Sequence, residues 1–256
     1  MLILLSPAKI QNFSPHTPVG HYTLPVFVNE AESLVHQIRE ISVISLAKLL
    51  EINLSLAHLN AERFSNWHLP LSPKNAKEAV FVFNGEVFHG LDAKSLKPED
   101  YDYLQAHLRI FSGLYGLLRP FDLIQPYRLD LTTKLITDKG KNLYAFWGDR
   151  ITLKINEALA KSGKPEILLN LSSGEYFKCI NRKLLQAKVI DIEFLEFKNG
   201  TFKPIVIYLK KARGMLTRYV VENKIEDPEK LKGFDVEGYW FHPDLSNENK
   251  FVFIRE

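Results

Sequence analysis

Few stretches of this chain leave as little conformational choice as KVIDIEFLEFK (188–198), which is followed by Asn199-Gly200 and then by TFKPIVIYLKK (201–211). Alternating apolar and polar residues mark a half-buried strand, and Asn-Gly favours the positive φ angles of a two-residue type I′ turn. Closing that turn pairs Lys198 with Thr201. The register then sets Glu196 opposite Lys203, Phe194 opposite Ile205, Ile192 opposite Ile207 and Ile190 opposite Leu209. Apolar residues fall on one face and an ion pair falls within the ladder, so the expectation is a long hairpin.

Helical periodicity dominates the first third. Leu34, Val35, Ile38 and Ile41 share one face of AESLVHQIREI (31–41), and ISLAKLLEI (44–52) and SLAHLNAERF (55–64) continue the pattern as two shorter helices. AVFVF (79–83) reads as a strand, and 98–111 as a helix opened by Pro98, Glu99 and Asp100. In GDRITLKINEALAKS (148–162), Ile151, Ile155, Ala158 and Leu159 form another helical face, with Gly163 as its cap before Pro165. EILLNL (166–171) reads as a buried strand, RGMLTRYVVEN (213–223) as a helix and KFVFIRE (250–256) as a last strand. There is no internal repeat, low-complexity tract or linker, and the Pro-rich turn at 14–25 comes too early to divide the chain. The expectation is a single α+β domain over residues 1–256, with a mixed sheet of about five to seven strands as its core and helices around it.

At 256 residues, with 46% hydrophobic and 25% charged, the chain can bury a core without staples. Its one cysteine, Cys179, excludes an intrachain disulfide and any cysteine-built metal cage. The formal charge of +3 is too mild to imply a nucleic-acid partner by itself. MLILLSPAKI has only four consecutive apolar residues after Met1 and no basic leader, so it reads as a first strand; a cytoplasmic protein with no membrane partner is expected. The eight histidines show no HxH or HExxH spacing, so neither a metal nor a cofactor is expected. GxSxG, Walker A and GxGxxG fingerprints are absent as well, and no catalytic residue is assigned.

Three segments carry candidate chemistry. In FSGLYGLLRPFDLIQPYRLDL (111–131), Gly113 and Gly116 allow a tight turn between helices whose amides could face a phosphate, with Arg109, Arg119 and Arg128 adding positive charge nearby. That is the physics of a helix-hairpin-helix-like grip on a nucleic-acid backbone; the bland alternative is an ordinary turn with solvated arginines. Between Lys198 and Arg218 there is no acidic residue, and Lys210, Lys211, Arg213 and Arg218 form a free basic cluster, which is either a phosphate-facing edge or a solvated face. In LLNLSSGEYFK (168–178), a strand runs into Ser172-Ser173-Gly174, with Glu175 at capping-box distance from Ser172. Polar groups at a strand's carboxyl end before a helix suit a small anionic ligand, so Ser6, Lys9, Asn170, Ser172, Glu175, Tyr176 and Lys178 form a candidate pocket, unless the serines and Glu175 simply cap the helix.

LLSPAK, FNGEVFHGL, FSGLYGLLRPFDLIQPYRLDL, LYAFWGD, LNLSSGEYF and YLKKARGMLTRYVVEN together resemble the YaaA family of bacterial peroxide stress response proteins, collinearly from Met1 to about Phe253. The resemblance implies a cytosolic protein that protects cells against hydrogen peroxide by limiting free iron. It also implies a mixed α/β fold with a helix-hairpin-helix element that binds DNA. The family's hairpin-type segment falls on 112–128 and its basic segment on 210–218; departures are confined to 11–19 and 243–250. No reaction comes with the resemblance, and no ligand cage for iron is grouped in the sequence, so an effect on iron is expected to be indirect.

The leading expectation is a DNA-binding stress protein that grips phosphates through 112–128 and 210–218 without reading bases. The alternative is an enzyme acting on a nucleotide or nucleobase-like substrate through Ser6, Lys9, Asn170, Ser172, Glu175, Tyr176, Lys211 and Arg213; several of these converging in one cleft would favour it. A role through a protein partner predicts an exposed apolar patch instead.

Overall fold

The computed structural model describes residues 1–14, 20–161 and 166–256. The Gly163 cap, Pro165, His16 and the centre of the 14–25 turn therefore lie outside the described residues.

The N-terminal apolar run does form a strand, β1 (Leu2–Leu5), all of it buried. The helical periodicities that follow become α1 (Val28–Arg39), α2 (Val43–Leu50) and α3 (Leu54–Asn66). Side chains cap the latter two: Ser42 accepts from the Ser45 amide, and Asn53 from the Leu56 amide. Next come β2 (Lys77–Glu78), α4 (Ala79–Val82), α5 (Glu86–Leu91) and α6 (Tyr101–His107). The strand expected at 79–83 is thus one helical turn. Its four residues are all buried, and a short, wholly apolar run carries no periodicity to distinguish the two states.

The helix expected over 98–111 stops at His107. Leu108–Ser112 is β3, which turns back through Gly113–Tyr115 into β4 (Gly116–Leu118), and β5 (Leu123–Ile124) follows. The proposed helix-hairpin-helix segment is therefore an antiparallel β-hairpin, with Ile110 opposite Leu118 and Ser112 opposite Gly116. The β-branched and aromatic residues of LRIF fit a pleated, buried surface, and tertiary pairing with β1 outweighs the helical start.

The remaining elements are α7 (Leu143–Trp147), α8 (Arg150–Lys161), β6 (Ile167–Asn170), α9 (Gly174–Phe177), β7 (Lys188–Lys198), β8 (Thr201–Lys203), α10 (Val206–Glu222), β9 (Trp240–Phe241) and β10 (Lys250–Arg255). The Asn199-Gly200 turn has both φ angles positive, at 54° and 76°, as a type I′ turn requires. Its first rungs hold: Lys198 pairs with Thr201 and Glu196 with Lys203. Beyond Lys203 the expected hairpin ends, because Pro204 has no amide to donate and the chain enters α10 at Val206. Ile192 and Phe194 pair instead with Phe251 and Phe253 of the parallel strand β10. Glu196 does not form its expected ion pair with Lys203; it binds the Arg255 guanidinium at 2.9 Å and accepts from the Tyr239 hydroxyl.

The sheet order is β4-β3-β1-β6-β7-β10-β9, with β8 pairing β7, eight strands in all. The inner strands β3, β1, β6, β7 and β10 are mutually parallel, while β4, β8 and β9 run antiparallel at the margins. One core takes side chains from both ends of the chain, from Met1 to Phe253. From β1 the chain crosses to β3 on one side; from β6 it crosses to β7 on the other. The carboxyl ends of β1 and β6 therefore diverge, leaving a crevice of the kind in which parallel sheets bind ligands.

Candidate functional site

Two short polar turns open that crevice. Ser6 follows β1 and Ser173 follows β6; the Ser173 amide donates to Ser6 Oγ at 2.9 Å, which ties the two strand ends together. The third wall is α5 and the fourth is α10. These helices cross with almost no side chain between them: a Cβ on Gly90 would lie 2.1 Å from the Lys211 carbonyl oxygen, and one on Gly214 would lie 1.8 Å from that of Val87. This close approach brings Lys210 and Arg213 to the space lined by Asn84, Gly85, Glu86 and Phe88. Asp130 and Thr132 complete a cavity of about 540 Å³ that also takes in Ser6, Lys9, Glu175 and Tyr176.

Positive and negative groups are unequally partnered there. Asp130 accepts from the Tyr176 hydroxyl at 3.0 Å and faces Lys9 at 3.7 Å. Burial and the Asp130 carboxylate push the Tyr176 phenol far up, so it stays protonated and donates. Glu86 lies 3.5 Å from His89, whose other ring nitrogen is 2.7 Å from the Asn84 side-chain oxygen. Arg213 is different: its Nε is buried with no hydrogen-bond partner among the described residues, and burial lowers its guanidinium from the ordinary arginine value. Arg128 also has a buried Nε without a partner, and it lines a small recess that shares Pro7, Ala8, Lys9 and Asp130 with the cavity. A buried, unsatisfied donor on a charged group is costly, and an anion in the cavity would relieve that cost.

The sequence candidates thus separate. Ser6, Lys9, Glu175, Tyr176, Lys210 and Arg213 line one cavity. Asn170 and Ser172 stand behind it: the Asn170 amide donates to Asp191 at 2.7 Å, and the Ser172 hydroxyl donates to Asn170 at 2.7 Å. Ser172 is not the cap of α9 either; Ser173 occupies that position, and its side chain makes no capping bond. Lys178 sits over the Tyr144 ring, and Lys211, which does not line the cavity, pairs with Glu237. Arg218 donates to the Leu91 and Asp92 carbonyls and pairs with Glu222 at 2.8 Å.

In the 109–128 segment, Gly113 and Gly116 are buried rather than presented to solvent. The Trp147 indole donates to the Gly113 carbonyl at 3.0 Å, and its ring packs on Gly116. Arg119 is bound to the buried Asp122 at 2.9 Å, and Arg109 donates to three carbonyls around the end of α6. Asn84, Glu86, Asp130 and Thr132 were not singled out from sequence. Asn84 and Glu86 flank Gly85 at the start of α5, and Asp130 and Thr132 share the loop between β5 and α7, with no local spacing to connect either pair to Ser6 or Arg213.

Residues 1–245 match the family described as Peroxide stress protein YaaA. The chain belongs to the peroxide stress protein YaaA family. It is 49% identical over 256 residues to a UPF0246 protein of Burkholderia cenocepacia, covering 100% of this chain and 98% of that relative. It is 49% identical over 255 residues to a UPF0246 protein of Neisseria gonorrhoeae, with the same coverage. Thiol chemistry finds no support in this YaaA-family chain, since Cys179 is buried and its thiol is pushed up to about 12. Among the described residues no group of three or more His, Cys, Asp or Glu is placed to hold a metal ion, and no helix is long and apolar enough to cross a membrane.

Proposed function

We propose that this YaaA-family chain acts in peroxide stress by binding a phosphate-bearing nucleotide unit in the cleft between the carboxyl ends of β1 and β6. The observation that carries the reading is the pair of buried arginine Nε atoms, of Arg128 and Arg213, that have no hydrogen-bond partner among the described residues and stand at the walls of adjoining cavities that share Lys9. They come from the two segments that the sequence marks as basic. Arg213 and Lys210 would hold the phosphate, the Phe88 and Ile10 walls would cover an apolar ring face, and Asn84 would meet its polar edge. Asp130, held between Tyr176 and Lys9, is the group placed for proton transfer if the ligand is turned over.

DNA is the second reading, because the same rim carries the basic side chains Lys9, Arg128, Lys210 and Arg213. In it, one nucleotide of the strand would enter the cleft while neighbouring phosphates met these cations. A lowering of free iron would then be an indirect outcome of the ligand bound. Calorimetric titration of Arg213→Ala with a nucleoside monophosphate and, separately, with duplex DNA tests both. Loss of a charge-assisted bond should weaken binding about 10- to 100-fold. An unchanged dissociation constant for both ligands would remove the cleft as the site.

A further inference from the structure

A second basic cavity lies elsewhere, where α8 packs against β3 and β4. It encloses about 320 Å³ and is lined by Arg109, Arg119, Lys154 and Lys161, with Asp122 and Glu157 as its acidic residues and Leu117 and Val26 among its apolar ones. Both carboxylates are already engaged: Asp122 by Arg119 at 2.9 Å, and Glu157 by Lys154 at 2.6 Å. That leaves Arg109 and Lys161 without a carboxylate partner among the described residues. Arg109 cannot be read as a solvated surface arginine. Its hydrogen bonds, at 2.7 to 3.1 Å, all run through Nη1 to the carbonyls of Gln105, Ala106 and Leu108, which fixes the guanidinium in place. Burial, and then the neighbouring Arg119 charge, pull it below the ordinary arginine value, and the nearby Asp122 carboxylate offsets this only in part.

Four cations against two carboxylates leave the cavity with a net positive charge, which a bound anion would offset. We infer that this cavity is a binding site for a phosphate group, anchored by Arg109 and closed by Lys161. A guanidinium held by carbonyls on one nitrogen and open on its remaining edge suits a tetrahedral oxyanion, which it can meet with paired donors. The cavity's size suits an inorganic phosphate or a terminal phosphate monoester rather than a run of backbone diesters.

The test uses the full chain, with inorganic phosphate as the probe and the melting temperature as the readout. At about ten times its dissociation constant, phosphate should raise Tm by roughly 3 °C. The shift should persist in Arg213→Ala, which weakens the strand-end cleft's own hold on phosphate, and vanish when Lys161→Glu, a change at an exposed position at the end of α8, is added to that variant. Arg109→Lys, which keeps the charge but not the paired donors, should weaken the shift. A 5′-phosphorylated oligonucleotide compared with its unphosphorylated form distinguishes the sources: a shift only with the former extends the site to nucleic-acid ends, and equal absence with both restricts it to free phosphate. No shift in the unsubstituted protein, or a shift in Arg213→Ala that survives the added Lys161→Glu, overturns the inference. A shift lost only in Arg213→Ala also overturns it, and assigns phosphate to the strand-end cleft.

Discussion

Charge near a ligand site is decided residue by residue, by what each cation already touches. Arg119 and Arg218 look the same as Arg128 and Arg213 in the sequence, but the first two are satisfied by Asp122 and by Glu222 with backbone carbonyls, whereas the second two keep a buried Nε unpartnered. Cys179 shows the same dependence on surroundings. With its thiol raised from 9.0 to about 12 by burial, its thiolate fraction near pH 8 falls about a thousandfold, so native Cys179 should react with hydrogen peroxide or iodoacetamide about that much more slowly than a free thiol. Mass spectrometry of the folded and the denatured chain would measure the ratio; equal rates would contradict the burial. Because folding favours the neutral thiol, this contribution to stability is complete below the ordinary thiol range and is lost as pH rises toward about 12. Denaturation of Cys179→Ala across that range should lack this loss.

Among the elements, the α5–α10 crossing has the most consequence for the site, because it sets where Lys210 and Arg213 stand. Gly214→Ala would drive a Cβ into the Val87 carbonyl, and backbone cannot yield as a flexible side chain can. The expected cost is roughly 2 kcal/mol or more, which corresponds to a fall in Tm of about 5 °C. Weaker nucleotide binding should accompany it, since α10 must move away from the cleft. A variant that melts and binds like the unsubstituted chain would show that the crossing is not this tight. The β7–β8 hairpin shows how far an element is legible. Asn199-Gly200 specified the turn and the first rungs correctly because turn geometry is local. Pro204 and the helical spacing of 206–222 then ended the strand, and the alternation at 205–209 was coincidental with a helix face.

For the whole molecule, net charge says little, as +3 is a sum over faces on which some cations are held by carboxylates, such as Arg119, Lys211 and Arg255, and others are not. If DNA uses the cleft rim, the cations lining it among the described residues are Arg128, Lys210 and Arg213, with Lys9 as a fourth where a phosphate displaces it from Asp130. The slope of log affinity against log salt on duplex DNA should then lie between roughly −2.7 and −3.6, for three or four phosphates. A slope near zero would remove the rim from any nucleic-acid interface, and a much steeper one would require cations beyond it.

The α+β composition, the N-terminal strand, the helices of the first third, the turn at Asn199-Gly200 and the family were all readable from the chain alone, because periodicity, turn chemistry and long collinear motifs are properties of adjacent residues. The state of 79–83 and of 108–118 was not, because apolar runs of that length fit either helix or strand until a neighbouring strand supplies hydrogen bonds. The cleft lies further still from sequence reasoning. Ser6, Asp130, Tyr176 and Arg213 are brought together by strand order and by the Gly90–Gly214 crossing. Asn170, Ser172 and Lys211, adjacent to them in the chain, are turned away by the alternation of a strand and the rotation of a helix. Tertiary structure alone decided which cations met carboxylates and which came to line the cleft.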